Sequence, residues 1–150
     1  MIEAMRERMG DAGTSLVRSG AARSFEISDE DSGLRLRVFR AGDGATATAT
    51  MTETTEVYFV DLGNGYKMVR TAYDDEDKLA VLDDFLEAVR VFIEGNYYEE
   101  IGKRNGRVVS RRMYFDGSGG AYWLSASLGL RAAFRRLLGY QKSVVRSPKR

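Results

Sequence analysis

The chain has 150 residues, is 43% hydrophobic, carries 23 Lys+Arg against 22 Asp+Glu, and contains no cysteine and no histidine. That length suits one domain with its own core. The missing residue types exclude disulfides, thiolate or imidazole metal ligands, a cysteine nucleophile and the ordinary Ser-His-Asp triad.

Residues 1–20 read as a weakly ordered segment, since Ile2, Met5 and Met9 fall at helical spacing but Gly10, Gly13 and Gly20 interrupt it. The period then changes to two. Ser24–Ser28 places Phe25 and Ile27 on one side, and Leu34, Leu36 and Val38 alternate with Arg35, Arg37 and Phe39. After an Ala-Gly-Asp-Gly turn at 41–44, Ala47, Ala49 and Met51 alternate with a stripe of threonines from Thr46 to Thr52, whose Cβ branching favours a pleat. Glu56–Leu62 is a further strand, Gly63-Asn64-Gly65 turns the chain, and Tyr66–Tyr73 returns.

From Asp74 the period is helical. Asp74 or Asp75 caps, Asp75, Glu76 and Asp77 suit the positive end of the helix dipole, and Leu79, Leu82, Phe85, Leu86, Val89, Phe92 and Ile93 form one apolar stripe ending at Gly95-Asn96. Tyr97–Gly102 and Arg107–Phe115 flank Asn105-Gly106, a preferred type I′ turn. Residues 116–120 read as a loop, Leu124–Tyr140 as a final helix, and residues 141–150 as a basic, flexible tail. The expected fold is a single α+β domain over residues 1–150. An antiparallel sheet, a meander plus a C-terminal hairpin, is covered on one face by the central and C-terminal helices.

Charge is strongly segregated along the chain. Residues 1–101 hold 11 Lys+Arg and 21 Asp+Glu, a net of −10, whereas residues 102–150 hold 12 Lys+Arg and the single acid Asp116, a net of +11. The two parts either neutralise each other in the fold or present opposite faces to partners. Asp74, Asp77, Asp83, Asp84 and Glu87 form an acidic helix face, a candidate protein-binding surface; their spacing also permits Mg²⁺ but specifies no metal site. Arg131, Arg135, Arg136, Lys142 and Arg146, with Tyr114, Tyr122, Trp123 and Tyr140 nearby, form the alternative, a nucleic-acid surface. No helix-turn-helix, zinc-finger or RNA-recognition signature accompanies them, and Gly117-Ser118-Gly119-Gly120 lacks the spacing of a phosphate loop or nucleophile elbow.

An acidic turn and apolar helix running from Asp77 into Ile93-Glu94-Gly95-Asn96-Tyr97, then Tyr98-Glu99-Glu100 and Lys103-Arg104-Asn105-Gly106-Arg107-Val108-Val109, resembles small actinobacterial immunity proteins of polymorphic toxin systems. The likeness spans residues 77–115, and it implies a protein that blocks a toxin by direct contact. The order of elements is also similar to the secretion-chaperone fold, which implies an adaptor with a protein partner. Neither likeness transfers a functional residue. The expectation is a non-catalytic protein-binding module without cofactor or metal. The N-terminal Met1-Ile2-Glu3-Ala4 shows no basic stretch before an apolar run, and no apolar segment reaches ~18 residues. That reading places the protein in the cytoplasm, away from the membrane.

Overall fold

The computed structural model describes residues 1–118, 120–129, 132, 136, 137 and 139–146, with the Arg146 side chain left aside. Helix α1 (Ile2–Arg18) leads into five strands: β1 (Ala22–Glu30), β2 (Gly33–Arg40), β3 (Thr46–Thr52), β4 (Val57–Asp61) and β5 (Lys67–Thr71). Helix α2 (Asp75–Glu94) follows, then β6 (Tyr98–Arg104), β7 (Arg107–Gly117), β8 (Gly120–Ser125) and β9 (Gln141–Arg146). The fold is α+β, but the strands make two antiparallel sheets where one was expected: β1-β2-β3-β4-β5 and β8-β7-β6-β9.

The first sheet is a plain meander whose register follows from alternation. Ile27, Leu36, Ala49, Val60 and Met68 sit opposite one another across the five strands on the face that meets the helices. Leu34, Leu36, Val38, Ala49, Met51 and Val60 are completely buried there. A one-residue slip would turn this whole set to solvent, so the pattern specifies the pairing.

Helix α1 corrects the expectation of a weakly ordered N-terminus. Met5, Met9, Gly13 and Leu16 form one buried stripe against β1, β2 and α2. Gly13 serves packing here: a Cβ at this position would lie 2.5 Å from the Phe25 ring. Gly13 therefore lets the helix approach the sheet, and burial outweighs a helix-propensity cost of about 1 kcal/mol per glycine.

In α2 the Asp74 side chain accepts from the Asp77 amide at 2.8 Å, and Gly95 closes the helix at φ 73°. Asn96 N–H donates to the Val91 carbonyl at 2.9 Å and Gly95 N–H to Phe92 at 3.3 Å, a Schellman closure. The last turn of α2 contains no basic residue. A cation reaches it from β2 instead. Arg40, 8% exposed, donates through Nη2 to the Phe92 carbonyl, lies 4.3 Å above the Phe92 ring and pairs with Asp43 at 3.1 Å.

The C-terminal third departs most from the sequence reading. The expected helix from Leu124 begins as strand: Gly120–Ser125 pairs with β7, with Tyr114 opposite Trp123 and Met113 opposite Leu124. Ala132, Arg136 and Leu137 are helical, and the remainder of that expected helix lies partly outside the described residues. Of the segment 116–120, read as a loop, Asp116 and Gly117 belong to β7 and Gly120 to β8, with Gly117 opposite Gly120, and residue 119 lies outside the described residues. The tail read as flexible forms β9 over Gln141–Arg146, antiparallel to β6, and 147–150 lie outside the described residues. Its sequence is polar, but Val144-Val145 suits a pleat and the free edge of β6 supplies the backbone partners.

Two outcomes follow from these contacts. Arg40→Met removes the donor and cation at the end of α2 and should lower unfolding free energy by about 2–4 kcal/mol in urea titrations, with Arg40→Lys rescuing only in part. Truncation after Tyr140 uncovers the β6 edge; it should cost about 1–2 kcal/mol and raise light scattering through edge association.

Candidate binding surfaces

The acidic helix face is largely engaged within the fold. Asp74 caps α2; Asp83 pairs with Arg8 of α1; Asp84 lies 3.6 Å from Arg70 of β5. Glu87, its side chain 17% exposed, accepts from the Ser118 amide at 2.9 Å and the Ser118 hydroxyl at 2.7 Å, holding the β7–β8 turn. Of the five residues, Asp77 has a side chain with no hydrogen bond or ion pair among the described residues, and it stands exposed beside Asp75 and Glu76. These carboxylates fasten α2 to its neighbours, which spacing alone does not reveal. Among the described residues no three carboxylates converge as a cation site.

The basic set is dispersed. Arg131 and Arg135 lie outside the described residues. Arg136 is exposed and lines a cleft of about 430 Å³ with Ser110, Arg111, Arg112, Ser125 and Ser127. Lys142 stands on β9, 3.3 Å from Glu100, and Arg146 pairs by its backbone with Tyr98.

Segregation along the chain survives folding. Seven of the ten ion pairs among the described residues join partners within residues 1–101, and the three that reach the C-terminal part all use Glu99 or Glu100 of β6. The acidic part thus pairs chiefly with its own cations and keeps its excess of acids.

Glu99 sits at the junction of the two sheets. It accepts from the hydroxyl of the fully buried Tyr66 at 2.8 Å, and Arg111 Nε lies 3.7 Å from the same oxygen. Burial first, then the hydrogen bond to the Glu99 carboxylate, hold the Tyr66 phenol well above its ordinary pKa of 10.0. The Tyr66 backbone bridges to Ala126, which follows β8, and Ser127 N–H donates to Gly65 at 3.0 Å.

Two sheet faces remain open. On the first sheet, the side away from the helices carries two rows that cross all five strands. One reads Glu26, Arg37, Thr48, Asp61, Lys67; the other reads Ser28, Arg35, Thr50, Phe59, Val69. Val57 (53% exposed), Phe59 (50%) and Val69 (56%) adjoin at the β4–β5 end. The residue alternation Val57/Phe59 against Tyr58/Val60 carries this division in the sequence. Both phases are apolar, so alternation alone does not say which faces out.

On the second sheet, Tyr98, Tyr114 and Trp123 lie opposite one another on β6, β7 and β8. Their face is the outer one, with Trp123 63% and Tyr98 44% exposed. Trp123 was singled out in the sequence as one of the aromatics near the basic set; only the strand assignment brings it into line with the two tyrosines.

No family model, curated protein or solved structure matches the chain.

The Tyr66 junction makes stability pH-dependent at the alkaline end. Above pH ~10 the unfolded chain loses the phenol proton while the folded chain retains it, so the stabilising contribution is complete below that pH and declines above it. Urea midpoints measured from pH 7 to 11 should stay level for this group and then fall, and Tyr66→Phe should flatten the alkaline decline. Tyr58, also raised by burial and by Glu56, accounts for the residual slope.

Proposed function

We propose that this chain is a non-catalytic module that binds a protein partner through the outer face of its first sheet. The observation that carries the reading is the contiguous Val57–Phe59–Val69 patch on an uncovered sheet face. Three large apolar side chains at half exposure on two paired strands lose water-exposed area when a partner seats on them, and such patches mark protein interfaces. The adjoining row, Glu26-Arg37-Thr48-Asp61-Lys67, alternates in charge and would set the register of the partner more than its affinity.

The type of partner rests on the sequence resemblance: a toxin neutralised by direct contact, with a secretion adaptor as the second possibility. With no histidine and no cysteine, any catalysis would depend on carboxylates, Lys, Tyr or Arg. Asp83, Asp84 and Glu87 each have an intramolecular partner, which moves the expected contact surface away from α2.

The test is affinity capture from nuclease-treated host lysate with wild type, Phe59→Glu and Val69→Glu, each checked for an unchanged unfolding midpoint. One stoichiometric protein should be retained by wild type and lost, by about tenfold or more in affinity, in both variants. If that protein arrests growth when expressed alone and co-expression of this chain restores it, the immunity reading stands. Capture that survives both variants would place the interface elsewhere.

A further inference from the structure

We infer that the outer face of the second sheet is a stacking platform for single-stranded nucleic acid, a site separate from the protein surface proposed above. Four antiparallel strands in the order β8-β7-β6-β9 present Tyr98, Tyr114 and Trp123 in one row across three neighbouring strands. Directly opposite residues on adjacent strands hold their Cβ atoms about 5 Å apart, so the three rings line a short track across the sheet. Aromatic side chains displayed in this way on an open sheet accept about two or three unpaired bases, because every base has an apolar face.

Charge identifies the partner as an anion. Arg112 stands on the same face, its guanidinium 5.9 Å from the Trp123 ring, and Lys142 follows on β9, 5.9 Å from the Tyr140 ring. The acids on this face among the described residues of the four strands are Glu100, which is 17% exposed and faces Arg112 at 3.9 Å and Lys142 at 3.3 Å, and Asp116, exposed at the end of β7 two residues beyond Tyr114. The Asn105-Gly106 turn joining β6 to β7 adds Lys103, Arg104 and Arg107 at the far end. A polyanion running from the aromatic row toward β9 and the Asn105-Gly106 turn therefore meets cations along its backbone, with carboxylate repulsion confined to the Asp116 end.

Shape adds a second element. Where β6 begins, a cleft of about 250 Å³ opens beside the row, lined by Asn96, Tyr98, Tyr114, Phe115, Asp116 and Tyr122. It is a recess with room for a single base at one end of the track. A base-paired duplex keeps its bases stacked inside and offers the row only phosphates, so the geometry favours a single strand.

Tryptophan occurs once in the chain, so its fluorescence reports on this face alone. The experiment titrates a ten-residue oligo-dT or oligo-U into the full chain at low salt, reading Trp123 emission and the anisotropy of a labelled oligonucleotide. The expected result is quenching on binding, with log K falling against log salt by ~0.7 per phosphate neutralised. Trp123→Ala and Tyr114→Ala should each weaken binding by about tenfold without moving the unfolding midpoint, since Trp123 is largely exposed. Duplex DNA and polyglutamate serve as competitors. No quenching and no anisotropy change at low salt would overturn the inference. So would polyglutamate competing as well as the oligonucleotide while Trp123→Ala binds normally, which would reveal an acidic-protein surface instead. Loss of protein capture in Phe59→Glu with oligonucleotide binding intact would confirm that the two surfaces are independent.

Discussion

The guanidinium of Arg40 joins three parts of the molecule. It ends β2, donates to the last carbonyls of α2 at Phe92, and lies near Tyr97, from which the chain enters β6. Phe92 and Tyr97 stack at 5.8 Å, and Arg40 covers the Phe92 ring, so one cation fixes the exit of α2 by hydrogen bonding, dipole and ring contact together. Helix α2 supplies no cation of its own in its last turn. Without Arg40 the exit of α2 would rest on the Schellman closure and the Phe92–Tyr97 stack.

A second constraint acts along the polar side of α2. Arg8, Arg70 and Ser118 come from α1, β5 and the β7–β8 turn, and each meets a different carboxylate of the helix. Pairs as exposed as Arg8–Asp83 contribute little individually to stability. Their consequence is positional: α1, the meander and the second sheet are all referred to one helix. Glu99 repeats the arrangement in the interior, where Tyr66 and Arg111 share its carboxylate. The carboxylates that a reading of composition offers to a partner are thereby held inside the molecule's own contacts. The two open sheet faces remain as the surfaces that look outward.

Those faces differ in a way that matters for function. The first presents aliphatic and threonine side chains with charges of both signs, a surface suited to another folded protein. The second presents aromatic rings with arginine and lysine; of its two carboxylates among the described residues Glu100 is already paired and Asp116 stands at the β7 end. Because seven of the ten ion pairs close within residues 1–101, the basic C-terminal part keeps its excess charge in the fold. Segregation in sequence and segregation in space coincide here because the second sheet is built almost wholly from the basic segment.

Local patterns were sufficient for the meander, for α2 with its Asp74 cap and Gly95 terminus, and for the Asn105-Gly106 turn, where both residues take positive φ. Each depends on neighbours within a few positions, through side-chain alternation, capping geometry or backbone sterics. Helix α1 was obscured because its glycines lower propensity, and the Phe25 ring lying against Gly13 explains that one of them. Strands β8 and β9 were misjudged for the complementary reason: Tyr122-Trp123-Leu124 and Val144-Val145 are short apolar runs compatible with either period until β7 and β6 offer backbone partners. By itself, then, the sequence determined the α+β class, the phase of β2 and β3 in the first sheet and the polarity of the chain's charge. Only tertiary structure decided that there are two sheets, that Asp83, Asp84 and Glu87 of α2 meet partners within the fold, and that Tyr98, Tyr114 and Trp123 share a face. Those outcomes rest on contacts between residues far apart in the chain, about which local periodicity carries no information.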